Sequence, residues 1–291
     1  MNAVTTRIRD AILCKKGLKY SAKQRLSNST KRPLELYWYR DLREGVKNFG
    51  DEYSQDLITT LFGYRIHHAS HLDCEFVATG SNIDFMILNR ASDSADVNFW
   101  GSGFIQKDEV PLPPKNMHFY AVRGELSLSR IGNHDEIPLG DPGILANIVY
   151  KTSGKKSGKI GIIPHYVDLD SDFIKKIKQD ERFSVISPLQ APSDVAEQIS
   201  QCDMIFSSSL HGLIFADSLN IPNAHISLSD KVIGGPYKFK DYCTGVGKRY
   251  LAVKPEEILD SSAIEKTKTE YQPIENLEQR QRALVAAFPY K

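Results

Sequence analysis

At 291 residues, 41% hydrophobic and 25% charged, the chain has the make-up of a globular protein with material for one large core or two ordinary ones. Its 37 Lys and Arg against 36 Asp and Glu leave a formal charge of +1, which excludes a whole-surface attraction for nucleic acid. No apolar run nears the roughly 20 residues that cross a bilayer, and no signal-peptide core is visible, so the expected location is cytoplasmic.

The charge is uneven at one end. Residues 1–33 carry Arg7, Arg9, Lys15, Lys16, Lys19, Lys23, Arg25, Lys31 and Arg32 against Asp10, with Val4, Ile8, Ile12 and Leu13 near helical spacing. This basic tail predicts peripheral contact with anionic lipid at the inner face of a membrane, a solvated tail being the alternative. Beyond it, LELYWYR (34–40) has strand composition. Residues 46–64 pass from a Gly/Asp turn into a helix with Leu57, Ile58, Leu61 and Phe62 on its apolar side. EFVATG (75–80), VNFWGSG (97–103) and HFYAVRG (118–124) read as short strands, each ending in glycine. ELSLSRIG (125–132) reads as a short helix and PLGDPGIL (138–145) as a turn.

KTSGKKSGK (151–159) has linker composition, and the same alternation resumes after it. KIGIIPH (159–165), FSVISP (183–188) and MIFSSS (204–209) are strands, with helices over 170–180 and 193–202. Residues 210–219 form an apolar helix that opens on His211, with Ser207, Ser208 and Ser209 available to cap it. The pattern predicts an α/β protein of two Rossmann-like domains facing a cleft, 34–150 and 151–273. A last helix, 274–288, could pack back on the first domain.

Polar residues collect where strands end, which is where ligands sit in open α/β sheets. From the first half come Asn48, Asp51, Glu52, Ser81, Asn82, Ser102 and Arg123, and from the second His165 and His211. Lys231, Lys238 and Lys240 follow in the strand-end loop 229–242. Two histidines, an acidic pair and several cations suit the activation of a small anion. Plainer roles stay open: Asp51 as a helix N-cap, His165 as a strand-end histidine, Arg123 as an ion-pair partner and the lysines as a solvated surface. No GxGxxG or GxxxxGK[ST] occurs. Cys14, Cys74, Cys202 and Cys243 are scattered, and His67, His68 and His71 lack further ligands at metal spacing, so neither disulfides nor a metal is expected.

The ordered series NFGDE, ATGSN, WGSGF, FYAVRGELS, LGDPGIL, GIIPHYVD, SSSLHGLIFADSLNIPN and DKVIGGPYKFKDY resembles the polysaccharide pyruvyltransferases, most of all the bacterial exopolysaccharide ketal-pyruvate transferases, over about residues 34–245. The resemblance implies a fold similar to the GT-B glycosyltransferases, phosphoenolpyruvate as donor, no cofactor, and a sugar of a polysaccharide or its lipid-linked precursor as acceptor. It also implies that Arg123, in the VR motif, binds the donor, and that Leu210 and His211 form the Leu-His pair of the second domain. Ser209 departs from the arginine common before that pair, so Lys231, Lys238 or Lys240 is expected to supply the charge. On this reading His211 leads the acid/base work, with His165 and Asp51 as further candidates. A nucleotide-sugar glycosyltransferase of similar shape and a non-catalytic glycan-binding component are the alternatives.

Overall fold

The computed structural model describes residues 32–40, 47–132 and 136–290. The basic tail, as far as Lys31, and the membrane contact predicted for it lie outside these residues. Two parallel five-stranded sheets follow each other along the chain. The first has the order β2-β1-β3-β4-β5, from β1 (Leu34–Tyr37), β2 (Ile66–His68), β3 (Phe76–Val77), β4 (Val97–Trp100) and β5 (Met117–Ala121). The second has the order β10-β9-β8-β6-β7, from β6 (Ile160–Ile163), β7 (Phe183–Val185), β8 (Met204–Ser207), β9 (Asn223–Ile226) and β10 (Ala252–Val253). The central strands β6, β8 and β9 are buried along their whole length, as parallel strands covered on both faces must be.

In each sheet the winding direction reverses once. The chain runs from β1 outward to β2 and then returns to place β3 on the other side of β1; β8 likewise falls on the far side of β6 from β7. A sheet opens a crevice at such a reversal, beyond the carboxyl ends of the two central strands. Here the two reversals face one another across a single cleft.

Local chemistry positions the first wall. Helix α1 (Phe49–Phe62) starts at Asn48, whose Oδ1 accepts from the Gly50 N–H at 3.1 Å, so Asn48 and not Asp51 is the N-cap. It ends at Gly63, whose φ of +71° suits a left-handed C-cap, and its N–H donates to the Thr59 carbonyl. The buried face of α1, with Phe49, Tyr53, Leu57, Ile58 and Leu61, joins a core that extends through both halves to Phe215, Tyr242 and Phe288. Helix α2 (Ile83–Asn89) follows β3.

The last helix, Leu277–Ala286, lies on the first sheet. The Trp100 indole donates to the Leu284 carbonyl at 2.8 Å, and Phe288 stacks on Phe62 at 3.6 Å. Residues 229–242, expected as a loop, divide into a turn and a helix, Tyr237–Val246. Phe239, Tyr242, Cys243 and Val246 repeat at helical spacing and are all buried. Among the described residues no helix is long and apolar enough to cross a membrane.

Candidate active site

The cleft between the sheets has a volume of about 600 Å³. Asn48, Asp51 and Ser81 line it from the first half, and His165, Ser209, Leu210, His211, Lys231 and Lys238 from the second. Tyr37 at the end of β1, with Gly80 and Asn82 after β3, completes the first wall, so both chain reversals contribute.

Four predicted residues lie elsewhere. The Arg123 guanidinium is fully buried and spent: Nε donates to Asp241 at 2.9 Å, Nη1 to the Ser81 hydroxyl at 2.5 Å and Nη2 to the Phe104 carbonyl at 2.5 Å. It therefore holds Ser81 from behind instead of clamping a ligand. Ser102 is buried as well, donating to the Gly80 carbonyl at 3.0 Å and accepting from the Asn82 N–H at 3.2 Å, which shapes the turn. Glu52 accepts from Arg40 at 2.6 Å and from the Trp38 indole at 3.0 Å, outside the cleft. Lys240 is exposed on the outer side of its helix, 5.7 Å from the Tyr250 ring.

The serine run acts differently from the expected cap. Ser209 stands at the cap position of the helix Leu210–Ser218 but makes no side-chain cap bond. Ser207 instead donates to the Ile163 carbonyl at 2.9 Å, and the Ser208 hydroxyl accepts from the His165 N–H at 2.7 Å, stitching β8 to the end of β6. The helix thus begins with the backbone N–H groups of Leu210 and His211 unmatched among the described residues.

His211 is buried, and its Nε2 has no hydrogen-bond partner among the described residues. That nitrogen faces the buried Asp141 carboxylate, 3.7 Å from Oδ2. Asp141 is itself fixed: its Oδ1 accepts from the Gly143 N–H at 2.8 Å as N-cap of the turn Pro142–Leu145. It was missed as a site residue, although Asp before Pro-Gly at a strand end is a legible capping signal. The His211 imidazole packs over the first turn of α1, where a Cβ on Gly50 would stand 2.1 Å from Nδ1. Burial holds its pKa below the ordinary value, Asp141 pulls it up, and Arg123 and Lys238 push it down. The balance favours the neutral imidazole.

Lys238 is 7% exposed and has no hydrogen-bond acceptor among the described residues. Burial brings its pKa down to about 8, with Arg123 acting in the same sense and Asp51 opposing. Burial, with Lys238, lowers both His165 and His225 to about 4. The half-buried Asp51 carboxyl goes the other way: enclosure by the surrounding protein pushes it up to about 7 against the pull of Lys238. Lys238, His165 and His211 with lowered pKa values and Asp51 with a raised one thus share one cavity.

Residues 19–230 match the family model for polysaccharide pyruvyl transferase. The chain belongs to that family. A pyruvyl transferase of this kind has relatives of diverse origin. An uncharacterized protein of Acanthamoeba polyphaga mimivirus is 28% identical over 211 residues, 69% of this chain and 71% of that protein. The succinoglycan biosynthesis protein ExoV of Rhizobium meliloti is 26% identical over 206 residues, 70% of this chain but 63% of ExoV. Among solved structures, a variant of the wall teichoic acid polymerase TagF aligns over 99% of this chain and 97% of that one, at 12% identity and a TM-score of 0.39. The transferase also presents its cleft at the paired chain reversals, the segments that carried the motif series.

Proposed function

We propose that the cleft transfers the pyruvyl group of phosphoenolpyruvate to two hydroxyls of one sugar in a polysaccharide or its lipid-linked precursor, forming a cyclic ketal. The observation that carries this reading is Lys238, a cleft-lining cation on a largely buried side chain, without a hydrogen-bond acceptor among the described residues, beside Asp51 and His211. The donor's phosphate and carboxylate need fixed cations, which Lys238 and Lys231 supply in place of the arginine absent at Ser209. The unmatched N–H groups of Leu210 and His211 add a helix N-terminus.

The protonated form of Asp51, whose pKa is raised to about 7, gives its proton to the donor's methylene carbon, which becomes the methyl group and leaves an oxocarbenium-like centre at the carbon bearing phosphate. The neutral His211 takes the proton of the first sugar hydroxyl as its oxygen bonds to that centre; Asp141 steadies the imidazolium that results. The C–O bond to phosphate then breaks, and the second hydroxyl closes the ring, its proton leaving with phosphate. The His211 proton returns to Asp51, so the balance is one donor and one diol to one ketal and one phosphate. His165 is placed to orient the acceptor. No cofactor enters this route. The working place of the enzyme is the cytoplasm, with residues 1–33 resting on anionic lipid.

The test incubates the full chain with phosphoenolpyruvate and a panel of glycosyl lipids, following inorganic phosphate and the mass of the acceptor. Stoichiometric phosphate with an acceptor heavier by one ketal is the expected result. Release of a nucleoside diphosphate from a sugar nucleotide, with phosphoenolpyruvate untouched, would replace this reading by glycosyl transfer.

A further inference from the structure

Four of the eight large hydrophobic side chains left exposed among the described residues gather in one place. Tyr39, Phe85, Leu88 and Ile233 line the cleft, whereas Leu72, Leu112, Tyr120 and Leu189 lie elsewhere. Beneath the first group, Tyr37 stacks on Phe85 with centroids 5.8 Å and planes 8° apart, which fixes a flat aromatic surface at the end of β1. Such a surface suits the C–H face of a pyranose, since rigid rings lose little entropy on contact.

Among the described residues Asp51, Asp84, Asp108 and Glu109 line this wall and no Lys or Arg of the first half does, although the Arg130 guanidinium donates to the Gln106 carbonyl at 2.6 Å and to the Asp108 carbonyl at 2.5 Å. Asp84 is partly spent in shaping the wall, accepting from the N–H groups of Phe85 at 3.2 Å and Ile105 at 3.1 Å. Asp108 and Glu109 are exposed. The opposite wall carries Lys231 and Lys238, and Lys238, largely buried and without a hydrogen-bond acceptor among the described residues, points to an anion held on that side. The cleft is polarised, cationic toward the second sheet and acidic over an aromatic face toward the first.

We propose that the acidic aromatic wall admits an electroneutral glycosyl acceptor and turns away acidic sugars, including one that already carries a pyruvate ketal. This rests on the pyruvyl-transfer reading of the same cleft. Each transfer converts a neutral sugar into a carboxylate facing Asp108 and Glu109, so repulsion favours departure of the product and opposes a second substitution. Because both side chains are exposed, the discrimination is screened by salt, the Debye length being about 10 Å at 0.1 M ionic strength.

Octyl β-glucoside and octyl β-glucuronide are matched probes. Their affinities are measured by titration calorimetry without donor, at low and high salt, for the full chain and for the double variant Asp108→Asn, Glu109→Gln. The glucoside is expected to bind about tenfold more tightly at low salt, with the ratio closing toward one at high salt and in the double variant. Phe85→Ala should weaken both probes and leave the ratio intact. Equal affinities at low salt, a preference for the glucuronide, binding of neither probe, or a ratio untouched by the double variant would each overturn the proposal. A parallel assay follows phosphate release from phosphoenolpyruvate with the same acceptors. Charge-selective binding without any phosphate release would sink the pyruvyl reading and spare the wall; release at equal rates from both acceptors would do the reverse.

Discussion

His211 reaches the cleft because position 50 has no side chain. Gly50→Ala would put a Cβ 2.1 Å from Nδ1, so the imidazole must turn aside. A displacement of that order lowers kcat by about 10²-fold; near wild-type turnover in steady-state assays of this variant would show that His211 does not touch the reacting atoms. The pH profile carries a second prediction. On the proposed route Asp51 acts as acid only while protonated, so kcat/KM, which reports the free enzyme, should fall as pH rises through about 7. On the same route His211 acts as base only while neutral, and burial lowers its pKa, so the acid limb should lie below the ordinary histidine value of 6.5. Asp51→Asn should lose both rate and the limb near 7; an alkaline limb that persists in the variant would assign it to another group. Binding of the donor offers a third. An arriving anion favours the protonated forms of Lys238, His165 and His211, and also raises Asp51, so each group contributes in the same sense. Calorimetry in buffers of different ionisation enthalpy should therefore register net proton uptake near pH 7, and release would mean that the anion lies elsewhere.

The elements that carry these residues meet at a joint. Gly124 follows β5 and stands where a Cβ would come 1.8 Å from the Asp241 carbonyl oxygen, and Gly245 one turn further on would meet the Arg123 carbonyl oxygen at 1.9 Å. Between these contacts Asp241 accepts from Arg123 Nε at 2.9 Å and from the Ser127 hydroxyl at 2.6 Å. Both members of the pair are fully buried, so Arg123→Met leaves a carboxylate without its partner and should cost about 3–5 kcal/mol, read as a lowered denaturant midpoint. A midpoint unchanged within error would mean that the joint carries no strain on the fold. Here the sequence was legible in part. Strand-end glycines and apolar runs marked the buried strands of both sheets, because burial on both faces leaves a compositional trace, but not the edge strands β2 and β10, which lack it. Arg123 could not be placed, since a chain reveals a charge but not a partner 118 positions away. The helix over Tyr237–Val246 was hidden by its glycine- and lysine-rich approach, although its apolar spacing was present. Asp141 was overlooked for a similar reason: capping and proton handling call for the same side chain.

At the scale of the whole molecule, the chain passes between the sheets through residues 151–159, almost all of them exposed, and returns in the closing helix against Trp100 and Phe62. Several contacts hold the halves without that linker. The Phe49 N–H donates to the Pro188 carbonyl at 2.8 Å, and the Gln281 amide to the Ile144 carbonyl at 2.6 Å. Limited trypsin should thus cut at Lys155 or Lys156 and leave two fragments that co-elute on native size exclusion; separation of the fragments would show that the linker holds the cleft together. The tight backbone approach at Gly124 and Gly245 bears on recombination as well. Exchanging one half of this enzyme for that of a relative would pair two surfaces that fit only where both glycines and the Arg123–Asp241 couple are inherited as a set. A viable chimera would have to take its crossover in 151–159 and import residues 123–127 and 241–245 from the same parent.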